Sequence, residues 1–416
     1  MLCLSGAPTL VNIIGNKKAL YTILLISPSI IFVSVSGVLR GCMNSFDRLT
    51  SVAISQLIEA LLKLILGLSL AYYGAKLGMP LYIISALCVI GITVGSLVSC
   101  LYLYVRYRGI FKDEPKTCVY SNTSDTAVKN LLKIAIPVSI GSAVLNLGSI
   151  IDLGIIMRML SHVGFSEEEA NAIYGNYTTL AVPMFNMVIS VISPIMLAFL
   201  PKLAHLYSKG QINEFSGLLN VMVLVSNSIS VPCFYAFLFY SFDLLDVLFA
   251  TASAAIGAEL LSALSVALVL LSSLTVVNTA LESMGKIGVS VLSLILGCIV
   301  KAVGNYILVM KFGILGAPIS TVLSYAVSLV FSLSVLKLSG VGAKIVIRCI
   351  IDALCGMVSF SLPYLYIYSY GRFCGGLISV IVSLLFSCIM YFAILFIRLL
   401  LTEYGKKIFK MHKMLK

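Results

Sequence analysis

Apolar stretches divided by short polar breaks run along nearly the whole chain. A membrane-crossing helix takes about 20 apolar residues. The pattern predicts such helices at 20–39, 50–73, 79–104, 131–159, 172–200, 215–240, 255–281, 287–310, 314–338, 344–368 and 374–401. The predicted fold class is therefore an all-α polytopic membrane protein of about eleven spans. The only sizeable polar linker lies at 105–130, with Arg106, Arg108, Lys112, Lys116 and Lys129 around Pro115. It separates a front part, 1–104, from a rear part in which 131–338 holds six spans and 339–403 two more. A basic tail follows at 404–416, patterned as a surface segment.

Composition narrows the picture. Of 416 residues, 60% are apolar and 11% charged, and mean hydropathy is +1.09. A soluble domain of this size needs far more surface charge. The net charge of +12 falls in short runs between apolar stretches, the distribution of cytoplasmic loops and not of a nucleic-acid-binding face. Tryptophan is absent, so Tyr72–Tyr73, Tyr102–Tyr104–Tyr107 and Tyr364–Tyr366–Tyr368–Tyr370 supply the interfacial aromatic belts. The 11 cysteines form no CxxC pair and most lie in apolar spans, where they act as small apolar residues. With 3 histidines there is no zinc constellation, and no cofactor is expected.

Lys and Arg also orient the chain. With the loop at 40–49 inside, the cytoplasmic side collects Arg40, Arg48, the 105–133 cluster, Lys202, Lys209, Lys286, Lys337, Lys344, Arg348, Arg398 and the tail. The outer side collects only Lys17, Lys18, Lys76, Arg158, Lys311 and Arg372, with the acidic run Glu167–Glu169 and the pair Asp243 and Asp246. The rule predicts a cytoplasmic C-terminus. It also places Met1 outside with no leader pattern, and with three spans before the linker the chain reads as lacking opening helices. One constant shift maps Arg48 onto Lys286, Ser55 onto Ser293, Lys63 onto Lys301, Gly78 onto Gly316 and Pro80 onto Pro318. That pattern predicts a parallel internal repeat, two similar lobes around a central cavity.

An ionisable residue at mid-membrane costs roughly 2.5–3.5 kcal/mol on insertion scales, so each calls for a partner or a task. Span 50–73 holds Ser55, Glu59, Lys63 and Gly67 at a spacing of four. Glu59 before Lys63 is the favourable order for an ion pair. The stripe reads either as a self-neutralised pair or as the wall of a water-filled cavity. Span 287–310 carries Ser290, Ser293, Gly297, Lys301 and Gly304 on one face. Lys301 has no acidic neighbour on its own helix, which points to an anionic substrate, Glu59 or Asp152. Ser139, Ser142, Asn146, Ser149 and Asp152 form a stripe on 131–159. Thr179, Pro183, Asn186, Ser190 and Ser193 form another on 172–200. Most such serines bond to their own carbonyls, while Asn146, Asp152 and Asn186 suggest a hydrated pathway. Asp152 and Arg158 make either an external gate or, for Arg158, a headgroup contact. No paired His and carboxylate, no Ser-His-Asp set and no phosphate-cradling glycine loop favours an enzyme.

Lys17-Lys18-Ala-Leu-Tyr21, Ile26-Ser-Pro28, Gly37-Val-Leu39-Arg40-Gly41 and Ser55-Gln56-Leu-Ile-Glu59 resemble the stage V sporulation protein B group. That group stands with the MurJ lipid II flippases and Wzx O-antigen flippases, and more distantly with MATE multidrug exporters. The resemblance implies a MATE/MurJ-like fold of two six-helix lobes plus two trailing helices, this chain beginning near the fourth helix. On that frame 1–104 is a partial N-lobe and 131–338 the C-lobe. The family's opening helices, which in MurJ carry arginines thought to hold pyrophosphate, fall before this chain. Cys42-Met43-Asn44-Ser45 replaces the family's aromatic, Gln- and Gly-containing stretch. The implied function is flipping of an undecaprenyl-linked sugar in the cell membrane, for wall, polysaccharide or spore-cortex synthesis. Arg40, Lys63 and Lys301 would meet the phosphates, the lipid tail would lie near the last two helices, and ion coupling stays open. A MATE-like exporter of cationic drugs and a non-transporting scaffold are the alternatives. The exporter would want net acidic cavity residues, whereas here Lys63 and Lys301 offset Glu59 and Asp152.

Overall fold

The computed structural model describes residues 20–45, 48–111, 136, 139, 152–160, 162–249, 254–338, 343–370 and 376–401. The chain divides into two compact units, Met1–Ser121 and Asn122–Lys416. All regular elements among the described residues are helical, and a helix satisfies its backbone polar groups within the segment where no water can.

In the first unit, α1 (Leu20–Ser45) and α2 (Leu49–Lys76) both pack against α3 (Leu81–Phe111). The α2–α3 approach depends on glycine: a Cβ on Gly91 would lie 2.6 Å from the Gly67 nitrogen, and one on Gly95 2.9 Å from the Glu59 carbonyl oxygen. Small residues let membrane helices come this close. Leu57, Leu64 and Leu68 of α2 remain exposed, the surface an apolar solvent requires. The helix ends differ from the sequence reading at both loops. α1 continues through Arg40 to Ser45, so Arg40 belongs to a helix and not to a 40–49 loop. α3 continues past 104 to Phe111, with the Arg106 and Arg108 guanidinium groups over the rings of Tyr102 and Tyr104 at 5.7 and 5.1 Å. These cation–π contacts support the extra turns.

In the second unit, a helical segment at 152–160 precedes α4 (Glu167–Asn176), a π turn (Tyr177–Ala181), α5 (Val182–Ala198), α6 (Leu200–Ser208) and α7 (Ile212–Phe239). Next come α8 (Ser241–Phe249), α9 (Ala254–Ser283), α10 (Ile287–Phe312), a 3₁₀ turn (Gly313–Leu315), α11 (Gly316–Leu338), α12 (Ala343–Tyr370) and α13 (Gly376–Leu401). The acidic run assigned to an outer loop is the first turn of α4. Ser166 and Glu169 form a capping box there, and carboxylates favour a helix N-terminus. Asp243 and Asp246 likewise lie on α8. The π turn stands just before Pro183, whose missing N–H and ring would otherwise conflict with the carbonyl one turn back.

α9 is the central helix of this unit, with Leu260, Leu261, Leu264, Leu268, Val276 and Val277 almost wholly buried. That agrees with an all-round apolar sequence. A second cluster joins α7 to α12 and α13 through Tyr235, Tyr240, Phe360 and Tyr391. Among the described residues, 8 helical stretches are long and apolar enough to cross a membrane. One of them, Ile287–Leu336, runs for 50 residues and covers α10 and most of α11. Of the expected span 131–159, most lies outside the described residues.

Candidate functional site

The first unit gathers three charges near mid-depth of α2. At 1.5 Å per residue, Lys63 stands roughly 20 Å from the start of that helix. Glu59 accepts from Arg40 Nη2 at 2.6 Å through Oε2 and from Lys63 Nζ at 2.8 Å through Oε1. The ion pair expected from the i,i+4 spacing is formed, and Arg40 of α1 joins it as a second cation. Arg40 Nη2 also donates to Ser99 Oγ at 3.0 Å and Nε to Ser55 Oγ at 3.3 Å, so all three helices of the unit hold the guanidinium. Gly67, the last member of the predicted polar stripe, meets the Cys88 carbonyl and serves packing. Two cations on one carboxylate leave the cluster at +1. The Lys63 side chain is 40% exposed, against 14% for Glu59, so it is the most accessible of the three.

The second unit holds a neutral counterpart. Lys301 of α10 forms an ion pair with Asp152, whose other oxygen accepts from Asn305 Nδ2 at 2.7 Å. Ser320 of α11 donates to Asn305 Oδ1, and its backbone helix comes close because Gly304 has no side chain. Of the partners open to Lys301, the structure brings it Asp152. Asp152 is buried and does not pair with Arg158, which is exposed. Asn186 lies on an exposed face of α5 with Pro183 and Ser190. Asn146 lies outside the described residues.

Sequence reasoning passed over a third cluster. Asp352 of α12, only 4% exposed, pairs with Arg398 of α13 and accepts from Asn227 Nδ2 of α7 at 2.8 Å. Tyr391 of α13 donates to the Asn227 carbonyl at 3.3 Å. The available signal was a lone carboxylate inside the apolar stretch 344–368 and an Asn inside 215–240.

Residues 2–399 match the family described as lipid II flippase MurJ. Stage V sporulation protein B of Bacillus subtilis (strain 168) is 21% identical over 372 residues, covering 86% of this chain and 70% of that protein. Among solved structures, a lipid II flippase MurJ in an inward closed conformation aligns with a TM-score of 0.59 at 16% identity, covering 92% of this chain and 75% of that one. An inward-facing multidrug resistance MATE family transporter of the MOP superfamily aligns at 0.61 with 14% identity, covering 80% and 76%. At these identities the two structures establish a shared fold.

Proposed function

The chain belongs to the lipid II flippase MurJ family, and from that premise we propose that it moves an undecaprenyl-linked oligosaccharide across the cell membrane by alternating access. The observation that carries the residue assignment is the Arg40–Glu59–Lys63 cluster, a net cation held within the apolar part of three packed helices. Guanidinium and ammonium groups bind phosphate oxygens through short charge-assisted hydrogen bonds. A half-buried net charge of this sign suits a lipid phosphate and opposes a cationic drug, the cargo class of the exporter alternative. Lys301 is neutralised by Asp152 and is not assigned to the phosphate. Its cluster fixes the 152–160 segment against α10. The Lys and Arg distribution supports a cytoplasmic C-terminus.

The test is transport of a fluorescent undecaprenyl-linked disaccharide in proteoliposomes carrying the full chain. Arg40→Gln and Lys63→Gln should each slow flipping by about tenfold or more, the loss of one charged hydrogen bond to the substrate. Unchanged rates in both variants, or no transport by the unaltered chain, would overturn the proposal.

A further inference from the structure

Glu59 sits between two cations. Each of its oxygens meets one cation, Arg40 at 2.6 Å and Lys63 at 2.8 Å. Ser55 and Ser99 brace the guanidinium from α2 and α3, independently of the carboxylate. The two cations are thus positioned around a single anion seat, and Glu59 fills it. Carboxylate and phosphate both offer paired oxygens to such donors, so they compete for the same groups.

We propose that Glu59 is a built-in counter-anion that the lipid phosphate displaces on binding and that returns to expel it on release. The inference rests on the reading of Arg40 and Lys63 as phosphate ligands. Two bare cations in an apolar surround are costly, and Glu59 neutralises one of them in the empty carrier. Being tethered one turn from Lys63, it stays at high effective concentration after displacement. A carrier site must bind firmly enough to load and weakly enough to unload, and an internal competitor meets both demands. The exposure gradient sets the order of exchange: the incoming phosphate reaches Lys63 first, then Arg40 at 22% exposure, before Glu59 gives way. Glu59 is accordingly a positioning residue that sets release.

Binding of undecaprenyl phosphate to the purified full chain in detergent, read by native mass spectrometry, tests this alongside the proteoliposome rates. E59Q should bind about tenfold more tightly, because the competing charge is gone, and should show a lower KM and a lower kcat. K63M should bind about tenfold more weakly, and E59Q/K63M, at the original net charge, should return to within about threefold of the unaltered chain. E59D keeps the charge but shortens the reach, so it should tighten binding by about threefold and carries the test if E59Q does not fold. Binding by E59Q or E59D that is unchanged or weaker, with helicity and melting intact, would mean that Glu59 only pins α1 to α2. Failure of R40Q and K63M to weaken binding would instead remove the phosphate reading itself. Displacement of the lipid by an equal concentration of inorganic phosphate would overturn the lipid-linked assignment.

Discussion

Charge pairs inside the membrane make the Asp152–Lys301 bond testable by subtraction. Asp152→Asn leaves Lys301 without a counter-charge, and the thermal stability of the purified protein should fall by about 2–4 kcal/mol. The double replacement Asp152→Asn with Lys301→Met should recover most of that loss, since no lone charge remains. A single variant as stable as the unaltered chain would show the pair to be solvated. Such pairs were only partly legible in the sequence. Glu59 and Lys63 lie on one helix, where a spacing of four fixes their meeting. Arg40 and Ser99 join them only through the way α1 and α3 lie against α2, which no local pattern encodes. Asp352 was hidden for the converse reason: its partners Arg398 and Asn227 are far along the chain, and Arg398 read as one more cytoplasmic-side charge.

Helices were the most legible part, because hydrophobic length sets where a span can be. Their ends and contacts were less so. The predicted repeat aligns Gly78 with Gly316, yet the turn glycines with positive φ are Gly78 (67°) and Gly313 (59°), while Gly316 starts α11. The close helix contacts differ as well, using Gly67, Gly91 and Gly95 in the first unit and Gly297, Gly304 and Gly316 in the second. Gly91→Leu should therefore force α2 and α3 apart and destabilise the protein by about 1–3 kcal/mol. Gly109→Leu, whose Cβ would meet nothing within 4 Å, is the control that should melt normally. Equal melting of the two variants would show that the glycine contact contributes nothing.

At the scale of the whole second unit, the Asp352–Arg398–Asn227 cluster ties α12 and α13 to α7. Asp352→Asn should loosen α13, with amide exchange rising along 380–398 while α10 and α11 keep their protection. A uniform rise, or none, would assign the cluster another role. The α4–α5 crossing is organised by its π turn. Its buried seam passes through Tyr177, Ala181, Phe185, Val188, Ile192 and Met196, a repeat of about 3.8 residues against 3.6 for an ideal helix. A seam of that period turns slowly around an α-helix as it descends. The wide turn sets the phase in which α5 leaves it, like a leap day in a calendar, and so decides which residues α5 presents to α9. The five positions of Tyr177–Ala181 divide accordingly: the buried Tyr177, Leu180 and Ala181 should resist substitution, Thr178 and Thr179 should accept it, and the loss or gain of one residue should lower the melting temperature most.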